Sequence, residues 1–311
     1  MIFVFDDSLT AIDRDEKVAL AKLLVAIIEK KHYVKVVSLM WQWVEKEVLI
    51  GSFLGTMDIE LIRKNKEFRD ITEFMTNYLS QVNVGCGQGF IKPSLAKELV
   101  DKPSYVVVEN EANDWPVLRK WIELMKNDRA FKSINILVEK KKQDRLIRPY
   151  NAGSAGQIIN TLRGRMADFG TLSCYKVMAV YDSDKRSVNE DLSKEKKKIQ
   201  DFSKEEGLMH HRLYKREMEN YFSLDCYIKA NFADGDLTYP ESEQDWDFED
   251  VEKYIKISSK GKSYDKKGLS LLCNYIDKET LMRRTAHHPL AYNGKSINEI
   301  QLIILKFAKL I

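Results

Sequence analysis

Residues 177–184 read Val177-Met178-Ala179-Val180-Tyr181-Asp182-Ser183-Asp184, five apolar residues running straight into two acids. A run of that length, rich in β-branched and aromatic residues and closed by turn-forming Asp and Ser, predicts a strand buried on both faces. Upstream, Ser154–Phe169 predicts a helix opened by Gly153 and Gly156, and Ile134–Val138 a strand. Before that come a helix over Trp115–Lys126, with Pro116 near its start, and a strand over Tyr105–Val108. Downstream, Glu190–Glu206 predicts a charged helix and Met209–Leu213 a fourth strand. Strands alternating with helices predict an α/β fold with a mostly parallel sheet flanked by helices.

In open parallel sheets, ligands bind beyond the carboxyl ends of the strands. The first strand ends in Glu109, the third in Asp182-Ser183-Asp184, and the fourth leads into Lys215-Arg216-Glu217-Met218-Glu219-Asn220-Tyr221. Three separate segments therefore deliver carboxylates to one sheet edge. Each alone is ordinary, because an acid after a strand is commonly a turn or cap residue. Together they repel one another unless a cation joins them, and oxygen ligands select Mg²⁺ or Mn²⁺. A divalent ion so held polarises a phosphoryl oxygen and activates a bound water, which is the chemistry of phosphodiester hydrolysis.

The order Val106-Val107-Val108-Glu109, the glycine-bearing turn 153–156, Val180-Tyr181-Asp182-Ser183-Asp184 and Arg216-Glu217-Met218-Glu219-Asn220-Tyr221 resembles the TOPRIM domain. It is most similar to the version in overcoming-lysogenization-defect nucleases and stand-alone bacterial anti-phage effectors. The resemblance covers about 120 of the 311 residues. It implies a TOPRIM-like fold and a metal-dependent endonuclease or nickase of anti-phage defence. It implies Glu109 as metal ligand or general acid/base, Asp182 and Asp184 as the aspartates binding Mg²⁺ or Mn²⁺, and Glu219 with Glu217 completing the site. Lys215 and Arg216 stand where a cation can steady phosphorane charge. Asn110 replaces the glycine usual after the first glutamate, and the next acid, Asp114, sits one residue late. No Walker A motif is present, so the resemblance implies a separate ATPase or sensor protein as regulator.

The remaining chain divides into a small N-terminal α/β domain (1–100), the core (101–223) and a helical C-terminal extension (224–311). Ile2–Phe5 and Tyr33–Val37 read as strands and Asp13–Lys31 as a helix, with helical stretches at Trp41–Val48, Asp58–Lys66 and Asp70–Leu79. Asp6 and Asp7 read as turn caps rather than a second acidic site. Gly85–Gly89 reads as a loop, not a phosphate cradle. Ile297, Ile300, Ile303, Ile304 and Phe307 give a C-terminal amphipathic helix.

Composition bounds the partners. The 50 Lys+Arg against 47 Asp+Glu leave +3, which excludes a histone-like polycation but leaves room for local basic patches. Lys140, Lys141, Arg163, Arg165 and Lys185 are the candidates to follow a phosphate backbone. The four cysteines form no C-x-x-C pair, as expected of a cytoplasmic protein. The apolar runs are too short for a membrane span, and a homo-oligomer is compatible with the sequence. Neither His210-His211 nor His287-His288 has the i, i+4 spacing of a helical metal site. Two other functions fit the acids less fully. A DxD glycosyltransferase also ends a strand in Asp-x-Asp and binds Mn²⁺, but gives Glu-Asn-Tyr no role. A non-catalytic adaptor would keep the fold alone.

Overall fold

A computed structural model describes residues 1–50, 54–259, 261–286 and 290–310, with the side chain of Lys66 outside that description. The His287-His288 pair lies outside the described residues. The chain forms two compact units. One comprises Met1–Ser104, Lys140–Ile147 and Phe307–Ile311, the other Tyr105–Glu139 and Arg148–Lys306.

In the first unit, β1 (Ile2–Phe5) lies between β2 (Tyr33–Lys35) and β3 (Gln81–Val84) in a parallel sheet of order β2-β1-β3. β3 escaped the sequence reading because it is short and half polar. Only Val82 and Val84 turn inward, while Gln81 and Asn83 face solvent. β2 stops at Lys35, short of the expected Val37, which is exposed. Helix Arg14–Glu29 buries Leu20, Leu23, Leu24, Ile27 and Ile28, and packs on helix Pro93–Asp101. That second helix begins with Pro93 in its first turn and runs into the stretch expected to be a boundary. Asp6 accepts from the Ser8 amide at 2.9 Å, the turn-capping role expected of it. Gly85 sits so close to that turn that a Cβ there would lie 2.7 Å from Ser8 Oγ.

A second sheet consists of β4 (Ser104–Val108), β5 (Ile147–Asn151), β6 (Val177–Tyr181) and β7 (Met209–Arg212) in the order β5-β4-β6-β7, all of it in the second unit except Ser104 and Ile147. β4–β6 and β6–β7 pair parallel. The Ser104 amide bonds the Leu146 carbonyl, and the Ala152 amide bonds the Val108 carbonyl, so β5 runs the same way. All five residues of β6 are buried, as its composition required. Val177, Ala179 and Tyr181 pack with Val107 against Ile158 and Leu162 of helix Ile158–Ala167 and Ile199 of helix Lys194–Glu205.

One expected strand is a helix. Ile134–Val138 lies inside helix Lys132–Gln143. Phe131, Ile134, Val138 and Lys141 are buried at helical spacing, whereas Ile136, which a strand would put beside Ile134 and Val138, is 46% exposed. The actual strand, Ile147–Asn151, contains Pro149 and three exposed or half-buried polar residues. Its edge position tolerates the proline.

The described part of the C-terminal region is mainly helical, and it also holds a hairpin. β8 (Leu290–Tyr292) and β9 (Lys295–Ile297) form an antiparallel hairpin. Its two-residue turn is Asn293-Gly294, with φ of 49° and 73°, the left-handed pair that a tight hairpin demands. The terminal helix is Glu299–Leu310, burying Ile300, Ile303, Ile304 and Phe307. Among the described residues, no helix is long and apolar enough to cross a membrane.

Candidate active site

The two central strands, β4 and β6, are followed directly by Glu109 and Asp182. The Asp182 amide donates to Glu109 Oε1 at 3.1 Å, so the two strand ends are locked side by side. Ser183 is buried and donates from Oγ to the Lys215 carbonyl at 2.7 Å. The amides of Ser183 and Asp184 both donate to the Arg216 carbonyl, at 3.1 and 3.0 Å. The Asp-Ser-Asp turn is thereby stapled to the segment carrying Glu217 and Glu219. Asp184 has a φ of 55°, a left-handed geometry that aspartate tolerates better than most residues.

The Glu-Asn-Tyr segment divides its work. Glu219 is 3% exposed on the short 3₁₀ helix Met218–Tyr221. Asn220 accepts from the Glu217 amide at 2.9 Å and donates to the carbonyls of Trp246 and Glu249. Tyr221 donates its hydroxyl to Glu299 and packs its ring 4.8 Å from that of Trp121. Asn220 and Tyr221 therefore fasten the turn that presents the two glutamates. Glu299, 1% exposed, also accepts from the Tyr214 amide at 2.7 Å and meets His211 Nε2 at 2.8 Å. We expect Glu299→Ala to cost about 3 kcal/mol, because it strands buried donors without an acceptor. Urea unfolding measures this, and a loss under 1 kcal/mol (about a single net hydrogen bond) would show that the hub is dispensable.

Two lysines answer the acids. Lys196 is fully buried, ion-paired to Glu109 and 3.0 Å from Asp184 Oδ2. Lys266 lies 2.9 Å from Glu217 and 4.0 Å from Glu219. Asp114, one turn into helix Glu111–Met125, accepts from the Asn110 amide at 2.8 Å. In the sequence Asp114 stands out only as a displaced acid, Lys196 is one residue of the charged helix expected over Glu190–Glu206, and nothing singles out Lys266. Lys196 did leave a signal, since it shares the inward face of its helix with Ile199 and Ser203.

The electrostatics show how crowded the acids are. Burial, then Glu109, Asp114 and Glu219, push the Asp182 carboxyl well above the usual aspartate range, against the pull of Lys196. Burial raises Asp114 to about 6, with Glu109 adding to it against the Asn110 amide. Burial also raises Glu219 to about 7, with Glu217 and Asp114 adding, although Lys266 opposes them. For Lys196, burial disfavours the charge, but Glu109, Asp182 and Asp184 outweigh it and raise its pKa.

The other expected residues fall elsewhere. Lys215 is fully buried and ion-paired to Asp247, which Arg284 shares. Burial and Arg284 lower the Lys215 pKa to about 8. It is therefore held by an interior network and not turned to the acids. Arg216 pairs with Asp250 and Glu217 at 3.3 and 3.5 Å. Lys141, expected to meet phosphate, is fully buried against His32 Nδ1 at 3.0 Å, and it and Lys140 belong to the first unit. Burial removes Lys141 from any surface role in this conformation. Lys140 is exposed. Arg163 and Arg165 stack on Phe202 and Tyr150, at 5.1 and 4.4 Å from the ring centroids. Lys185 bonds the Val188 carbonyl at 3.0 Å.

Among the described residues, no three His, Cys, Asp or Glu side chains are gathered closely enough to hold one metal ion as they stand. The donor set nonetheless fits a hard divalent cation in its chemistry: it is all carboxylate oxygen. Glu219 Oε1 is buried without a hydrogen-bond partner, and Asp182 faces three acids. Compared with protein-family models, curated proteins and solved structures, the chain matches none of them.

Proposed function

We propose that the second unit is a TOPRIM-like catalytic core that hydrolyses phosphodiester bonds in nucleic acid with Mg²⁺ or Mn²⁺. The supporting observation is the convergence of Glu109, Asp182, Asp184 and Glu219 from three chain segments at the carboxyl edge of one parallel sheet, with a buried glutamate oxygen unsatisfied among them. A divalent ion bound there supplies Lewis acidity at a phosphoryl oxygen and a water acidic enough to attack at neutral pH. Asp182 and Glu219 are the residues to hold it, with Asp114 beside them. Glu109, its Oε1 fixed by the Asp182 amide and Lys196, is oriented to take or give a proton at the reacting oxygen. Lys266, beside Glu217 and Glu219, is a cation at the rim, 48% exposed and able to meet a phosphate. The resemblance noted above adds the expectation of an anti-phage effector regulated by a separate ATPase or sensor protein.

The test is direct. Purified chain is incubated with plasmid, single-stranded DNA and total tRNA, with Mn²⁺ and with chelator. Cutting of at least one substrate with Mn²⁺ and none in chelator is expected. Cutting that persists in chelator would refute the metal-dependent reading, and stabilisation by nucleotide sugars with no cutting would favour the glycosyltransferase.

A further inference from the structure

The least expected member of the acid cluster is Lys196. A lysine on the buried face of a helix is ordinarily excluded from the interior unless paired. Here it is fully buried, although one of its partners, Asp184, has a side chain 48% exposed. Its ammonium group bonds Glu109 Oε1 and stands 3.0 Å from Asp184 Oδ2, which tethers the ends of β4 and β6 through one positive charge. Ser193 caps its helix by accepting from the Lys196 amide at 3.3 Å, so backbone as well as side chain fixes its place. Its nitrogen also lies over the Tyr181 ring, 5.9 Å from the centroid.

A divalent ion of Mg²⁺ size sits about 2.1 Å from its oxygen ligands. An ion bridging Glu109 and Asp184 would therefore press against the ammonium nitrogen already between them, and two cations cannot share that space. Glu219, whose charge acts on the Asp182 carboxyl, has its Oε1 without a hydrogen bond, and Lys266 stands 4.0 Å from it.

We infer that Lys196 takes the place of a second metal ion, so that the site binds a single divalent cation on the Asp182–Glu219 side while the lysine neutralises and spaces Glu109 and Asp184. This rests on the metal-dependent reading above and narrows it. Lys196 acts through the carboxylates, as a positioning residue. A one-ion site leaves stabilisation of the leaving oxygen to protein groups and water, whereas two ions would clamp both oxygens.

The experiment counts Mn²⁺ bound per full-length chain by equilibrium dialysis after metal removal, for the wild type, K196R and K196M. One ion is expected for the wild type and for K196R, which keeps the charge. Two are expected for K196M, because Glu109 and Asp184 are then free to ligate. Two ions in the wild type, or one in a K196M chain with native circular dichroism, would overturn the inference and leave the nuclease reading standing. No Mn²⁺ binding by the wild type would overturn both. Should K196M fail to fold, the wild-type and K196R counts decide alone.

Discussion

On the proposed function, Asp182→Asn is expected to give a folded chain that cuts nucleic acid at least about 10³-fold more slowly, the scale of losing a group that stabilises the transition state directly. The shape of the site survives, because the Asp182 contact with Glu109 is made by its backbone amide and the turn is held by Ser183 and the Arg216 carbonyl. What is lost is the charge at the centre of the cluster. The same substitution has a second, opposite consequence. The Asp182 carboxylate is disfavoured by burial and by Glu109, Asp114 and Glu219, so the amide relieves strain that the metal-free protein carries. In chelator at pH 8 the variant should melt above the wild type, even as it loses activity. A substitution that lowered both would mark Asp182 as structural.

Asp114 and Glu219 favour the metal-free fold more near pH 5 than at pH 8, the reverse of the usual effect of paired carboxylates, whereas His210 and His211, their pKa values lowered by burial, act in the opposite sense. In the unfolded chain Asp114 and Glu219 ionise at 3.8 and 4.5, whereas in the fold burial and neighbouring acids hold them to about 6 and about 7. Between roughly pH 4 and pH 7 these two groups therefore bind more protons in the native state than in the unfolded one, and their contribution to stability falls as pH rises through that window. For Glu219, nearly fully buried, the shift from 4.5 to about 7 corresponds to a loss on the order of 3 kcal/mol. Mn²⁺ bound as proposed is expected to reverse it, because an ion at 100 times its dissociation constant returns about 2.7 kcal/mol. The gain appears at pH 8 and fades at pH 5, where protons compete for the same oxygens. Thermal melts at the two pH values, with chelator and with Mn²⁺, give the comparison. Equal stabilisation by Mn²⁺ at both would place the ion away from these carboxyls.

How much of this was legible in the sequence depended on how much of each signal was local. The β6 run and the acids after it were readable because a fully apolar strand and its terminal aspartates are contiguous. Glu109 followed from the same logic at the end of β4. The second strand was not readable. Ile134–Val138 is apolar enough for either state, and the period that decides the matter extends back to Phe131 and on to Lys141, a charged residue at a buried position. β5 was hidden by its proline and its edge position. The Asn293-Gly294 hairpin carried a clear turn signal that went unread among the surrounding helices. Within the site, sequence order brought the acids to one edge but could not supply their counter-charges. Lys196 comes from the helix between β6 and β7, and Lys266 from 47 residues beyond Glu219, so only the folded chain brings them to the carboxylates. Lys215 has its partners hidden from the sequence in the same way. It adjoins the acids in sequence, yet Asp247 and Arg284 claim it in the interior.

An anomalous difference map from crystals grown near pH 8 and soaked in Mn²⁺ locates the ion. A peak within ligand distance of Asp182 and Glu219 oxygens, lost in Asp182→Asn, is the expected result. A map with density only at distant surface acids, or with none anywhere, would contradict it.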